Sequence, residues 1–274
     1  MADSRLSIAG IAPAIGLAII FIGAIAAPML APYSPITMDI AHTFAPPSSQ
    51  HWLGTDQLGR DVLSRVMWGG RVSLGIAAVA VALAAITGGL AGMMAGYRGG
   101  VVDAIIMRLA EIQFSLPAII LALVLAGAIG PGVVNLVAVL TLANWARFAR
   151  VIRSEAVAVR TRDFVLVSRL AGASQWRVIM RHILPNVRST FIVLATLDIG
   201  LIVILEATLS FLGLGVQPPM PSWGSMIADG RSFLDRGWWI VGAPGIVLML
   251  TVLCSNLCGD RLRDKLNPSM AGRW

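Results

Sequence analysis

Apolar residues are concentrated in six stretches, separated by segments richer in polar residues, glycine and proline. The stretches cover residues 8–30, 72–97, 104–129, 132–152, 189–212 and 238–258. A helix needs about 20 apolar residues to cross a hydrocarbon core about 30 Å thick. The pattern therefore predicts an all-α, polytopic membrane protein with six transmembrane helices and with both ends on the same side of the membrane.

The first stretch has a second interpretation. Arg5 precedes it and Ala26 and Ala27 lie near its end, an arrangement also typical of a cleaved signal peptide. The apolar run continues almost unbroken from Ile8 to Leu30, however, which is longer than the roughly 7–15 apolar residues of a signal sequence. We therefore expect a retained helix.

The composition excludes two other classes of protein. Charged residues make up only 13% of the chain, and the mean hydropathy is +0.81. Soluble proteins carry about 25% charged residues, so this chain cannot cover a globule of its size with polar side chains. Disordered chains have low hydrophobicity, and this chain has the opposite bias.

The distribution of cations predicts the orientation in the membrane. Lysine and arginine number 21, and the net charge is +7. Sixteen of the 21 lie in or beside alternate connecting segments, and the richest segment runs from Arg147 to Arg188. Cation-rich loops stay cytoplasmic, so both ends and this loop are predicted to be cytoplasmic. Topology then explains the positive charge, and since no recognition module accompanies it, nucleic-acid binding is not expected.

No grouping of reactive side chains indicates catalysis. The single lysine, Lys265, does not close a phosphate-binding G-x-x-x-x-G-K-[ST] loop. Cys254 and Cys258 lie one helical turn apart without a histidine or carboxylate at ligand spacing, and the 3 histidines are scattered. We therefore expect no catalytic residue, no metal site and no cofactor in this chain, and any use of ATP and Mg²⁺ requires separate subunits.

The cytoplasmic loop at about 153–188 is longer than a connection between two antiparallel helices requires. Asp163 is expected to cap a short helix that ends at Leu170, and Ser174 a second helix that Pro185 ends. An apolar face flanked by arginines suits a helix-in-groove contact with another protein. It suits an interfacial helix on anionic lipid equally well, and the residues alone leave both interpretations open.

The string DFVLVSRLAGASQWRVIMRHILPN in this loop resembles the cytoplasmic EAA loop of ABC importer permeases. The family pattern is E-A-A, three residues, glycine, nine residues and then x-x-L-P, and the RHILPN ending is similar to the dipeptide, oligopeptide and nickel branch. Leu166 stands where the family usually has glutamate, so we expect apolar anchoring to replace an ion pair. The resemblance implies that coupling to an ATPase involves Asp163, Phe164, Val165, Leu166, Arg169, Gly172, Ala173 and Pro185.

The external loop after the first span contains HWLGTDQLGRDVLSRVMWGGRVSLG, which is very similar to the L-G-T-D-x-x-G-R-D signature of the same branch. We expect Asp56 to cap an amphipathic helix whose apolar stripe includes Leu58, Val62 and Val66 and which lies flat on the membrane surface. The signature residues are Gly54, Thr55, Asp56, Gly59, Arg60 and Asp61.

A third string, EATLSFLGLGVQPPMPSWG from Glu206 to Gly224, resembles the exit of the fifth span in the same permeases. Together the matches imply the type I permease fold of ABC importers. Residues 1–71 would form an N-terminal transmembrane helix and an external loop with an interfacial helix. Residues 72–274 would form a five-helix permease core that carries the cytoplasmic coupling loop.

The resemblance implies a C-type permease subunit that forms half of a translocation pathway in the cell inner membrane. Its implied partners are a second homologous permease subunit, two ATPase subunits that use ATP and Mg²⁺, an external substrate-binding protein and membrane lipid. Peptides are the first choice of cargo, with nickel or another small solute as the alternative. An ion-coupled secondary transporter and a membrane-embedded enzyme are rival functions, and the second would need a reactive cluster that the sequence lacks.

Ionisable groups inside the predicted spans are candidates for function, because each costs about 2.5–3.5 kcal/mol on insertion scales. Arg108 and Glu111 are spaced to pair along one helix face. Asp198 and Glu206 lie two turns apart in the fifth span and are our candidates for lining the pathway. There they would guide a cationic peptide terminus or a metal ion, although an arginine of the partner permease would satisfy them equally well.

Overall fold

The computed structural model describes residues 8–266, and the chain is helical through most of this range. Its described residues contain no strand, and the one strand-like pairing is an isolated bridge between Thr55 and Asp61. The all-α prediction is therefore confirmed there, whereas the chain ends that were predicted to be cytoplasmic lie outside the described range. The α-helices are α1 (Ile8–Ile25), α2 (Ala27–Leu30), α3 (Val62–Arg98), α4 (Gly100–Phe114), α5 (Ala118–Ile129), α6 (Val133–Arg160), α7 (Asp163–Leu170), α8 (Gln175–Val178), α9 (Leu184–Phe211), α10 (Trp223–Gly230) and α11 (Trp239–Leu266).

The six-span prediction is confirmed in part. Three helical stretches are long and apolar enough to cross a bilayer: Val62–Arg98, Gln175–Phe211 and Trp239–Leu266. The pair α4 and α5 adds a fourth crossing if it counts as one bent span. The apolar part of α1, Ile11–Ile25, is shorter, and α6 carries arginines in its second half. The first and fourth spans therefore stay predictions.

The third predicted span is not one straight helix. The chain bends by 92° between α4 and α5. Pro117 explains the break, because proline lacks an amide hydrogen and its ring clashes with the preceding helical turn. The bend rests on α6: Gln113 Nε2 donates to the Ala143 carbonyl over 2.6 Å, and the Arg150 guanidinium lies 3.9 Å from the centroid of the Phe114 ring.

Helix α3 is the centre of the fold and contacts α1, α4, α6, α9, α10 and α11. Its closest neighbour is α6, which it meets through glycines spaced four residues apart at Gly88, Gly92 and Gly96. A Cβ atom on Gly96 would lie only 2.7 Å from the Ala156 Cβ. Small residues at this spacing let two helix backbones approach closely within a membrane.

The predicted boundary at residue 71 lies inside a helix, and the segment before it does not form a separate helix. Helix α3 is a single helix of 37 residues from Val62 to Arg98. At about 1.5 Å per residue it is about 55 Å long, so it extends beyond the roughly 30 Å hydrocarbon core. The segment predicted to lie on the surface is therefore the first turns of a spanning helix.

Buried apolar residues form one central cluster and a smaller cluster at each end. The central cluster joins α3, α5, α6 and α9 around Phe148 and Leu140. The cluster at the end carrying the external signature joins α3, α10 and α11 through Val62, Met226 and Ile240. The cluster at the opposite end fixes the short helices of the predicted coupling loop, and its members are Met93, Ile152, Ala156, Val159, Val165, Val178, Ile179, Ile183 and Val187.

Candidate functional site

The external signature is a compact hydrogen-bonded turn, and two buried carboxylates organise it. Asp56 Oδ1 accepts from the backbone N–H groups of Leu58 at 2.9 Å and Arg60 at 3.0 Å, and its Oδ2 accepts from Arg60 Nε at 2.7 Å. Asp56 therefore closes a tight turn, and the prediction that it caps a helix is wrong.

The N-cap of α3 is Asp61. Its Oδ2 accepts from the backbone N–H of Ser64 at 2.8 Å and from the Ser64 hydroxyl at 2.7 Å. Its Oδ1 lies 3.0 Å from His51 Nδ1. The helix starts at Val62 because Asp61 supplies an acceptor to its free N–H groups and keeps extended backbone angles itself.

The two glycines of the signature adopt left-handed backbone angles, both with φ of 71°. A Cβ atom on Gly54 would lie 2.6 Å from Trp239 Nε1 and 2.7 Å from the Ala45 carbonyl oxygen. A Cβ atom on Gly59 would overlap the carbonyl group of Asp39. Both conformation and space therefore require glycine here.

Thr55 connects the turn to the rest of the fold. Its hydroxyl donates to the His42 carbonyl and accepts from the Ala45 N–H at 2.8 Å, while its own carbonyl accepts from Trp239 Nε1 at 3.1 Å. The signature thus joins the loop that follows α2 to the start of α11, a connection across 184 positions of sequence.

Beside the turn lies a small polar cavity of about 140 Å³. Arg65 forms part of its lining, and its guanidinium lies 3.4 Å from Asp56 Oδ2 and 3.9 Å from Asp229 Oδ2. Burial raises the pKa of Asp229, and the positive charge of Arg65 opposes that rise. Around this cavity Arg60 and Arg65 therefore pair with Asp56 and Asp229.

The predicted coupling helix is present with its predicted bounds, Asp163–Leu170, but its cap differs. The N-cap is Arg162, without a side-chain hydrogen bond, and Asp163 is the first residue of the helix. A carboxylate there still favours the helix, because it lies beside the positive end of the helix dipole. Gly172 follows the helix with φ of 78° and so permits the tight turn into α8.

Helix α7 is anchored by one side and exposed on the other. Val165 is fully buried in the cluster shared with α6 and the segment after α8. The exposed apolar side chains are Phe164 at 42%, Leu166 at 42%, Val167 at 64% and Leu170 at 88%. Trp176 on α8 adds a ring that is 56% exposed. We call this exposed set, Phe164, Leu166, Val167, Leu170 and Trp176, the coupling face.

Ser174 caps α8 as predicted, since its hydroxyl accepts from the Arg177 N–H at 3.3 Å. The prediction that Pro185 ends this helix is wrong. A π-helical turn at Ile179–Ile183 precedes Pro185, and the helix continues without interruption from Gln175 to Phe211. The π turn changes the hydrogen-bond ladder just before the proline, so its missing N–H does not break the helix.

Asp198 lies inside this long helix and is fully buried. Arg147 Nη1 on α6 lies 2.5 Å from Asp198 Oδ1, while 40% of the Arg147 side chain is exposed. Neither oxygen of Asp198 receives a well-aligned hydrogen bond from the described residues, so the contact is an ion pair rather than a bidentate bridge. The arginine that neutralises Asp198 thus belongs to the same chain.

Glu206 lies about two turns further along the same helix and is also fully buried. The Ser210 hydroxyl donates to its Oε1 at 2.7 Å, and the hydroxyls of Ser73 and Ser222 lie close to the carboxylate. Ser73 in turn accepts from the backbone N–H of Trp223 at 3.3 Å. Glu206 therefore sits where α3, α9 and the start of α10 meet.

The predicted pair of Arg108 and Glu111 is confirmed: Arg108 Nη1 lies 3.3 Å from Glu111 Oε2, and both side chains are exposed. Arg147 was not among the ionisable residues predicted to be functional, although it lies inside the predicted fourth span. Its role becomes clear only from its contact with Asp198. The structure also gives packing roles to Trp223 and Trp239, whose indole N–H groups fix α10 and α11 to distant segments.

Comparison with known proteins places these features in a family. Residues 88–272 match the family described as the inner membrane component of binding-protein-dependent transport systems. The match covers α6, α7 and the whole Gln175–Phe211 helix, so it includes the coupling face and the Arg147–Asp198 pair.

Individual relatives resemble the chain over most of its length. The probable D,D-dipeptide transport system permease protein DdpC of Escherichia coli is 40% identical over 246 residues, which are 90% of this chain and 83% of that protein. The di/tripeptide transport system permease protein DppC of Pseudomonas aeruginosa is 40% identical over 253 residues, 90% of this chain and 84% of its own. The nickel transport system permease protein NikC of Escherichia coli is 42% identical over 239 residues, 87% of this chain and 86% of its own. With its multi-helical, apolar fold and matches of this extent, the chain belongs to the family of inner membrane components of binding-protein-dependent transport systems.

Proposed function

We propose that this chain is the C-type permease subunit of an ATP-driven importer and that the coupling face is where an ATPase subunit docks. The proposal rests on one observation: α7 and α8 expose apolar side chains on one side while other side chains of the same helices are buried in the protein. Five apolar side chains are exposed on two short helices, while Val165 and Val178 of the same helices are fully buried in the protein. Such an arrangement suits a helix-in-groove contact with another protein.

The connection to the spanning helix gives this contact a mechanical consequence. Helix α8, the π turn and α9 form one helical stretch from Gln175 to Phe211. A movement imposed on Trp176 therefore reaches Asp198 through a continuous helix. A partner shifts the balance between two conformations only by its different affinity for each, and rigid-body motion of helices is an established way of transmitting such a shift.

The further partners and the orientation follow from the same proposal. The loop around α7 is cytoplasmic, and both chain ends are on that side. Two ATPase subunits bind ATP and Mg²⁺ and contact the coupling face and its counterpart on a second, homologous permease subunit. An external substrate-binding protein delivers the solute to the opposite side. The cation-rich segment from Arg147 to Arg188 supports this orientation.

We propose di- and oligopeptides as the cargo, because several relatives at about 40% identity are named peptide permeases. A relative named as a nickel permease is 42% identical, and this similarity supports nickel as the second candidate. Co-purification of the system's own binding protein with its ligand separates the two: mass spectrometry would find a peptide or a metal ion in its pocket.

Asp198 and Glu206 remain our proposed pathway residues. Because Asp198 is fully buried and Arg147 is partly exposed, the pair would present its guanidinium rather than its carboxylate to a solute. The partly exposed charge then meets an anionic group, such as a peptide carboxylate, more favourably than a cationic terminus.

The docking proposal is tested by placing charge on the coupling face. Phe164→Asp and Leu170→Asp should each abolish co-purification of the ATPase subunits with the assembled permease, because a carboxylate that becomes desolvated in an apolar groove has no partner there. Leu234→Asp is the matched control, since Leu234 is 53% exposed on the opposite side of the fold. Membrane insertion of all three variants should be normal.

Full retention of the ATPases by both coupling-face variants would refute the docking proposal.

The rival function of a secondary transporter is tested separately with membrane vesicles. Uptake by the assembled complex, with ATP inside the vesicles and no ion gradient, is expected here, whereas an ion-coupled carrier would show none.

A further inference from the structure

A cationic cavity lies beside the coupling face. Its volume is about 350 Å³, and its lining combines the ends of three helices: Tyr97 and Arg98 of α3, Arg160 and Thr161 at the end of α6, and Leu166 and Arg169 of α7. Three of these six lining residues are arginines, and none is acidic.

The three guanidinium groups have neutral partners only, among the residues that the structure describes. Arg98 Nε donates to Gln175 Oε1 at 2.8 Å, Arg160 Nη1 donates to the Gly96 carbonyl at 2.9 Å, and the Arg169 guanidinium lies 5.8 Å from the centroid of the Tyr97 ring. One carboxylate outside the lining interacts with Arg160 through its charge: the pKa of Asp103 is lowered chiefly by its hydrogen bond with Arg153 and also by the charge of Arg160.

Asp103 is not available to these arginines. Both of its oxygens are engaged by Arg153, at 2.6 Å from Nε and 2.5 Å from Nη2. Arg153 thus neutralises Asp103, and among the described residues no carboxylate forms a hydrogen bond or ion pair with the three arginines of the cavity. Like charges that line one cavity repel each other, and an anion bound between them removes that repulsion.

The depth of the cavity identifies the source of the anion. The apolar stretch of α3 covers residues 72–97, and Arg98 directly follows it as the last residue of the helix. From the start of that stretch to Arg98 the helix rises by about 39 Å. The hydrocarbon core is about 30 Å thick, and the bilayer with its headgroup layers about 40–45 Å. Arg98, and Arg160 bonded beside it, therefore lie at the level of the lipid phosphates.

We propose that this cavity binds the headgroup of an anionic phospholipid. The phosphate diester would lie between the guanidinium groups of Arg98, Arg160 and Arg169, which donate charge-assisted hydrogen bonds to its oxygens. Tyr97 has the amphipathic ring that favours this interfacial layer. Basic pockets between spanning helices are a known form of lipid headgroup site. The inference requires only that the chain crosses the membrane and does not rest on the proposed coupling role.

Leu166 gives a way to occupy the cavity from within the protein. Its side chain lines the cavity between the arginines, so Leu166→Glu would supply a carboxylate and remove the need for an external anion. Leu166→Gln is the matched control, because it has the same shape without the charge. Arg169→Gln removes one guanidinium from an exposed position and tests the same site in the opposite way.

The full-length chain with its partner permease, purified without the ATPase subunits, would be placed in nanodiscs of phosphatidylcholine with added phosphatidylglycerol. Native mass spectrometry would then measure the lipid retained after partial delipidation. Wild type and Leu166→Gln should retain phosphatidylglycerol equally. Leu166→Glu and Arg169→Gln should each reduce retention by about tenfold, the equivalent of one charge-assisted hydrogen bond. Thermal unfolding in pure phosphatidylcholine shows whether the variants fold, and there Leu166→Glu should be no less stable than Leu166→Gln.

Three results would overturn the proposal. Equal retention by Leu166→Glu and Leu166→Gln would show that the cavity does not hold the lipid. If inorganic phosphate raised the thermal unfolding temperature of the protein as much as phosphatidylglycerol does, the cavity would be a site for free phosphate instead. Displacement of the retained lipid on addition of the ATPase subunits would assign the cavity to an acidic side chain of that protein.

Discussion

Gly54→Ala is expected to disrupt the external signature, because position 54 combines a left-handed backbone with a crowded surrounding. The new Cβ would lie 2.6 Å from Trp239 Nε1 and 2.7 Å from the Ala45 carbonyl oxygen. Neither atom is the free end of a flexible chain, since one is held by the hydrogen bond to Thr55 at 3.1 Å and the other is backbone. The substitution must therefore move the loop away from α11.

The magnitude has three contributions. An L-residue with left-handed backbone angles costs about 1–2 kcal/mol. Forcing an extra methyl group into a packed site costs about 1–3 kcal/mol, and loss of the bond from Trp239 to Thr55 costs about 1 kcal/mol. The expected total is about 3–6 kcal/mol. Gly213→Ala is the control, since φ is 80° there and no atom lies within 4 Å of a built Cβ. It should cost only the first contribution.

The assay is thermal unfolding of the purified protein in detergent, followed by tryptophan fluorescence, with limited proteolysis of the loop as a second measurement. One kcal/mol lowers the Tm of a chain of this size by roughly 2–4 °C. Gly54→Ala should therefore unfold roughly 4–16 °C below Gly213→Ala, and its loop should be cleaved faster. Equal Tm values for the two variants would refute the close contact between the signature and α11.

Two further pairs of substitutions test the interior of the bundle. Gly96→Ala should destabilise the protein by about 1–3 kcal/mol because its Cβ would lie 2.7 Å from the Ala156 Cβ. Gly75→Ala is the control: no atom lies within 4 Å of its built Cβ, so it should stabilise the protein by about 0.5–1 kcal/mol through helix propensity. Equal changes in the Tm of these two variants would contradict the α3–α6 packing. Arg147→Gln should lower the free energy of unfolding by about 3 kcal/mol, because it leaves the fully buried carboxylate of Asp198 unpaired. Asp198→Asn should lower it by only about 1 kcal/mol, because the Arg147 side chain is 40% exposed and stays hydrated. The same unfolding measurement checks this order, and the reverse order would show that the pair is not buried on the Asp198 side.

Helical architecture and coupling-loop boundaries were predictable because they depend on local chemistry. An apolar run of sufficient length specifies a spanning helix wherever it occurs. Ser174 predicts a cap from its own hydroxyl, and Gly172 predicts a turn from its own backbone freedom. The bounds Asp163–Leu170 were predicted for this reason.

Predictions failed where neighbouring residues compete for the same role. Asp56 and Asp61 are both able to cap a helix, and only the fold shows that Asp56 is occupied by Arg60 while Asp61 meets Ser64. Pro117 breaks its helix and Pro185 does not, because a π turn precedes the second proline. The difference depends on the hydrogen-bond ladder around each proline, which no local pattern encodes.

The sequence by itself determined the class of protein, the apolar segments and the short helices with their exposed apolar face, since each depends on residues close together in the chain. Tertiary structure alone decided that Asp198 is neutralised by Arg147, that Thr55 is held by Trp239, and that three arginines from separate helices surround one cavity. Charge and hydrogen-bond interactions act over a few ångströms in space, and residues so far apart in sequence come within that distance only when the helices pack.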